Sequence, residues 1–242
     1  MSENITGISI STQRMIFAIL LFIASAILWE SWIVYPIKIL TVFLHELSHG
    51  IAALATNGSI DHIEISSNEG GVCFTRGGNR FLILSAGYLG SLIWGAGLLL
   101  AAARTRLDRE IVAALGGLLV LVTLGLVRSF FGFAFGIGAG LVLIFFSRQF
   151  GEAACDVLLR WIGLTSSLYV ILDIKSDLID RSVPDSDAYK IAEMLHLPSM
   201  LVGGVWLVIA LFISWKALSA ALPGSEEGED TPRLPRGQDP FA

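Results

Sequence analysis

His45-Glu46-Leu47-Ser48-His49 puts two imidazoles and a carboxylate within about one helical turn. On an α-helix His45 and His49 share a face, so both rings can reach one Zn²⁺, while Glu46 beside them is placed to act as general base toward a water. The flanks are apolar on both sides, from Tyr35 to Val42 and from Ile51 to Ala55, which sets the trio within or at the edge of a membrane span. An ionisable residue at the centre of a span costs about 2.5–3.5 kcal/mol on insertion scales. Three in one turn need a compensating partner, and a bound zinc would supply it. In a soluble helix the same pattern also arises by chance; the apolar setting is what gives it weight here.

A catalytic zinc takes a third protein ligand. The metzincin continuation is excluded, because Ala52 and Ala55 stand where that class has Gly and His. The remaining candidates are distant. Asp61, His62 and Glu64 follow the histidine span, His196 lies in a polar stretch, and Asp173 closes the apolar run Leu168-Tyr169-Val170-Ile171-Leu172. Depth favours Asp173, since coordination would remove the cost of keeping it ionised at the level of the histidines. The bland alternative for Asp173 is a solvated helix-end carboxylate or a pair with Lys175 or Arg181. Asp177, one turn on, reads as solvated or as a partner behind the ligands, and His62 and His196 read as surface residues. Asn79 and Ser85 carry hydrogen-bonding groups near the start of the next span and are given no role.

These residues must be held by a membrane scaffold. Of 242 residues 54% are hydrophobic and only 15% charged, too apolar for an ordinary soluble domain. The expected architecture is an all-α polytopic membrane protein of six to seven transmembrane helices, with a small β-hairpin after the H-E-x-x-H helix. A polar leader (1–14) precedes a membrane domain (15–222), read as retained rather than cleaved at Ala24-Ser25-Ala26. Its spans are read at 15–29, from Pro36 to about Asn57, at 81–103, 111–127, 130–146, 163–179 and 199–218. Between the second and third, residues 59–80 alternate and turn at Asn68-Glu69-Gly70-Gly71, as a hairpin does. Residues 148–160 either lie along the interface or lead into the next span, and 181–198 form a polar connection. Glycines in the spans serve close helix packing. The Pro/Gly/acid-rich tail (223–242) cannot bury a core and is expected to be disordered. Lys and Arg are too evenly distributed to fix an orientation. The net charge of −5, with much of the acid near the carboxyl end, excludes a nucleic-acid surface. Cys73 and Cys155 lack the spacing of a disulfide framework or a thiolate zinc site.

The H-E-L-S-H-G run at 45–50, the hairpin with Gly70-Gly71, the span start Ser85-Ala86-Gly87-Tyr88-Leu89-Gly90-Ser91 and the run Tyr169 to Ile174 together resemble the M50B-like branch of the site-2 protease (M50) family. The resemblance covers most of the chain. It implies a zinc intramembrane metallopeptidase with Glu46 as base and with His45, His49 and, from the family's L-D-G motif, Asp173 as zinc ligands. Ile174 replaces the Gly of that motif, and no insertion is large enough for the PDZ domain that many members carry. Ser186-Asp187-Ala188 also resembles this branch, with no role attached to it. The partners implied are the lipid bilayer, most simply the cell membrane, and a membrane-protein substrate whose unwound segment pairs with the hairpin. The competing reading is a non-proteolytic scaffold or transporter subunit with a buried metal or proton site. The base beside the ligands argues for catalysis, because a structural metal site needs none.

Overall fold

The computed structural model describes residues 10–176 and 186–221. Most of the expected leader, Asp177, Arg181 and the tail lie outside them. In chain order the elements are α1 (Ile10–Ile27), α2 (Tyr35–Ala55), β1 (Ser59–Ile65), β2 (Gly71–Arg76), α3 (Arg80–Arg104), α4 (Asp108–Leu126), α5 (Phe130–Gln149), α6 (Glu152–Lys175), α7 (Asp187–Leu195) and α8 (Ser199–Ala221). Among the described residues six helices, α2 to α6 and α8, are long and apolar enough to cross a membrane, and α1 adds a shorter apolar stretch, Ile16–Ile27. This is the all-α polytopic architecture with one hairpin.

Burial ranks the spans. About 78% of the apolar window of α2 is buried within the protein, against 28% for each of α4, α5 and α8. The helix bearing the histidines is therefore the central post, and the others turn much of their apolar surface toward lipid. Pro36 opens α2, where a missing N–H costs nothing. The helix ends at Thr56, where Asn57 turns into the left-handed region at φ 63° and lets the chain double back into β1. One apolar core joins α2 to the hairpin, α4, α5 and α6; a second joins α3, α6, α7 and α8.

One segment resolves an alternative that the sequence left open, and a second differs from the sequence reading. Residues 152–160 are the first turns of α6 itself, and their polarity is absorbed where Arg160 pairs with Asp156 at 2.8 Å. The stretch 181–198 is more than a connection, for it contains α7. Ser186 caps that helix by accepting from the Tyr189 N–H, and Ala188, Ile191 and Ala192 are buried in the second core. Ala, Ile and Ala at these spacings make one narrow apolar stripe, which polar neighbours conceal in the sequence.

The hairpin has two unlike edges. β1 and β2 pair antiparallel from Ser59↔Arg76 to Ile65↔Gly71, with an irregularity at Asp61. The outer edge of β1 is closed by the α4–α5 connection: Arg128 N–H donates to Ile63 O (3.0 Å), Ser129 Oγ accepts from Ile65 N–H (2.9 Å) and donates to Ile65 O (2.8 Å). The far edge of β2 has no strand beside it among the described residues and borders the site.

Candidate metal centre and active site

His45 and His49 stand one turn apart on α2, their rings edge to face with centroids 4.8 Å apart. Asp187, at the start of α7, reaches between them. Its Oδ2 is 3.1 Å from His45 Nε2 and 3.1 Å from His49 Nε2. The three donor atoms lie within 4.8 Å of one another, the one such cluster among the described residues. Donors around a tetrahedral zinc at 2.0–2.1 Å are about 3.3 Å apart, so two edges of this triangle already have that length.

The donor chemistry fits a metal. His49 Nδ1 donates to the Ile83 carbonyl at 2.7 Å, because a carbonyl can only accept, and this leaves Nε2 with a lone pair when the ring is neutral. That lone pair faces a carboxylate oxygen. Three electron-pair donors so close repel unless a proton or a metal cation lies among them. The space is kept by Gly87: a Cβ there would meet Asp187 Oδ2 at 2.6 Å and collide with His45 Nε2. Burial alone would raise the Asp187 carboxyl, but the charge on His49, the hydrogen bonds from both rings and the charge on His45 outweigh it. They hold it well below the usual carboxylate range.

Glu46 turns toward the hairpin. It is 5% exposed, accepts a hydrogen bond from the Cys73 N–H, and lies so close to Gly71 that a Cβ there would come within 2.7 Å of its side chain. His45, Glu46, His49, Asp187, Asp173 and the edge Gly71-Val72-Cys73 all line one cavity of about 560 Å³, with Tyr88 and Tyr169 in its wall. Tyr88 also sets its ring edge against His45, centroids 5.6 Å apart.

Family comparison places the chain. The family model described as Peptidase M50B-like matches residues 18–217. The chain belongs to the Peptidase M50B-like family. No curated protein and no solved structure matches it. Membership makes it an integral, multi-pass protein of an intramembrane metallopeptidase family, with a His-His-Asp cluster compatible with a metal site.

Of the expected ligands, the fold brings His45 and His49 together and gives them Asp187 rather than Asp173 as the carboxylate between them. Asp173, two residues from the end of α6, lines the same cavity and adds negative potential at His45, but stands outside the donor cluster. The physical reason is placement: α7 begins at the histidines and sets its first residue between them, whereas Asp173 stands in the cavity wall on α6. The signal for Asp187 in the sequence is Ser186-Asp187-Ala188. The other candidates lie away from the cluster. His62 stacks on Phe74 (4.3 Å) between Asp61 and Glu64, and His196 is the exposed left-handed cap of α7. Asn79 caps α3, accepting from the Leu82 N–H, and Ser85 is buried.

Proposed function

We propose that this M50B-like protein is a zinc-dependent intramembrane endopeptidase that cleaves a peptide bond in or near a transmembrane segment of a membrane-protein substrate. The observation that carries this reading is the convergence of His45, His49 and Asp187 beside a buried Glu46 that touches a strand edge free to accept a partner. Zn²⁺ held by His45, His49 and Asp187 would polarise the scissile carbonyl and bring the pKa of a water down from 15.7 to about 7.

The protein's own groups do the rest. Glu46 takes the proton from the attacking water and returns it to the leaving amine. Ile83 O fixes the ring of His49, and Asp187 holds both rings to one point. A helical substrate hides its carbonyls in internal hydrogen bonds, so the reacting segment must be extended. The free edge of β2 offers it backbone partners next to Glu46, and the closed edge of β1 leaves only one side for that addition. Substrate choice then falls to the chain's own cavity and strand edge.

The test uses purified protein and a membrane-embedded substrate. Wild type should hold about one zinc per chain and cleave; Glu46→Gln should keep the zinc and lose cleavage. Cleavage by Glu46→Gln at the wild-type rate would sink the mechanism. Wild type that binds zinc without cleaving any membrane substrate would favour a scaffold or transporter role.

A further inference from the structure

A second cavity, of about 660 Å³, lies far from the site, where α3 and α5 end and α4 and α6 begin. Arg104 is seventeen residues along α3 from Gly87, about 25 Å at 1.5 Å per residue. Four span ends meeting there put the cavity at the level of lipid headgroups. Its wall is ionic in both senses. Arg104, Arg106 and Arg160 face it together with Asp108, Glu152 and Asp156, and Phe17 of α1 and alanines of α3 supply an apolar side.

The internal pairing is incomplete. Arg160 is satisfied by Asp156 (2.8 Å) and by the Ala102 carbonyl (3.0 Å). Arg104 donates to Ala220 O at 3.2 Å, and Glu152 accepts from the Arg109 N–H at 3.4 Å; neither makes an ion pair among the described residues. Arg106 makes no ion pair among the described residues. Asp108 is 5% exposed, yet its Oδ1 has no hydrogen-bond partner among them. Burying a carboxylate oxygen without a donor is costly, and a donor on a bound group entering the cavity would meet that need. The terminal torsion of Asp is broad and roughly two-fold, so either oxygen can turn to the cavity. Asp108 and Glu152 line the cavity from the starts of α4 and α6, and Arg104 and Arg106 line it from the end of α3 and the loop that follows.

We propose that this cavity is a binding site for a zwitterionic amine–phosphate lipid headgroup, phosphatidylethanolamine. Its primary ammonium meets Asp108 and Glu152, its phosphate meets Arg106 and Arg104, and its acyl chain leaves past Phe17. A phosphatidylcholine headgroup has the same charges but no N–H to give Asp108, and phosphatidylglycerol has no cation, so both are discriminated against. The assignment is independent of the peptidase reading.

The test is lipid retention. Delipidated full-length protein is offered equal amounts of the three lipids with identical acyl chains, and retained lipid is counted by native mass spectrometry. Ethanolamine lipid should be kept at least about threefold over either competitor. Asp108→Asn/Glu152→Gln should erase its advantage over the choline lipid. Arg106→Gln, at an exposed position with no effect expected on folding, should lower retention of both. Equal retention of all three lipids by wild type overturns the proposal, as does unchanged discrimination in both variants. Displacement of the lipid by magnesium would assign the acids to a metal instead, and displacement by soluble phosphoethanolamine at equal concentration would show that no lipid is required; either result overturns it.

Discussion

Asp187 and Asp173 are both cavity carboxylates, and only one stands between the imidazoles. Asp187→Ala should therefore lower zinc affinity roughly 100-fold or more, beyond the 10–100-fold typical of losing an outer partner, whereas Asp173→Asn should keep zinc near wild-type content. Metal analysis of the two purified variants decides between them, and the reverse ranking would return the ligand role to Asp173. The closeness of the two histidines, and of Glu46 to the same cavity, was legible because H-E-x-x-H places three residues within one turn of a helix. Asp187 was not, because an argument from depth looks for a carboxylate at the end of an apolar run, and this one enters from a short capped helix outside the spans. Cys73 offers a second test at this scale. Burial, and then the negative charge of Glu46, push its thiol up to about 12, so it stays protonated at neutral pH and only the thiolate reacts. In a Cys155→Ala background, maleimide labelling at pH 8 should be at least about 100-fold slower than for a free thiol of pKa ≈ 8.5 and should speed up as pH rises. Glu46→Gln removes one of the two causes, so its labelling should be faster than wild type; equal rates would mean that Glu46 carries no charge beside the thiol.

The hairpin was readable as an element from its alternation and its Gly-Gly turn, but not its two edges or how its tip is tied down. Those depend on residues remote in sequence. Ser129 closes β1, Tyr35 Oη donates to Ser67 O (2.6 Å), Tyr169 Oη donates to Glu69 O (3.2 Å), and Lys38 pairs with Glu69 at 2.5 Å. Lys38 is 3% exposed and also lies over the Trp29 ring, whereas the Glu69 side chain is 30% exposed. The two halves of this pair should therefore respond unequally. Glu69→Gln strands a buried ammonium, and breaking a buried pair in this way costs about 3–5 kcal/mol; Lys38→Met leaves a carboxylate that water can reach and should cost clearly less. Thermal melts of the two variants in one detergent check the order. At the free edge, Cys73→Pro deletes the N–H that meets Glu46, on the side of β2 away from β1. It should reduce cleavage of a membrane substrate by at least about tenfold with zinc content unchanged. Undiminished cleavage would take the strand edge out of the mechanism.

Across the whole molecule the site depends on how closely the spans approach, and glycines set that distance at some positions and not at others. Gly87, Gly90, Gly95 and Gly97 fall in one span, but composition cannot say which of them face a neighbour, since that requires the rotation of each helix against its partners. The fold separates them. Gly95 of α3 and Gly163 of α6 abut: a Cβ on Gly163 would lie 2.6 Å from Gly95 O, and one on Gly95 3.0 Å from Gly163 O. Gly116 of α4 and Gly140 of α5 do the same, at 2.5 Å and 2.7 Å from each other's carbonyl oxygens. These contacts are with backbone, which cannot rotate away, so the helices must separate to admit a methyl group. A Cβ on Gly97, Gly117 or Gly138 would meet no neighbour within 4 Å among the described residues. There alanine should be neutral or stabilising by up to about 1 kcal/mol through helix propensity. Gly163→Ala should instead destabilise by about 1–3 kcal/mol, as overpacking does, and should also lower zinc occupancy, because α3 carries Gly87 and the carbonyl that orients His49. Gly140→Ala, which loosens the α4–α5 pair away from the ligands, should lower the melting temperature similarly while leaving zinc in place. Melting temperature and zinc content measured on Gly163→Ala, Gly140→Ala and Gly97→Ala separate packing for stability from packing for the site, and equal zinc loss in the first two would show that the bundle transmits strain to the centre as a whole.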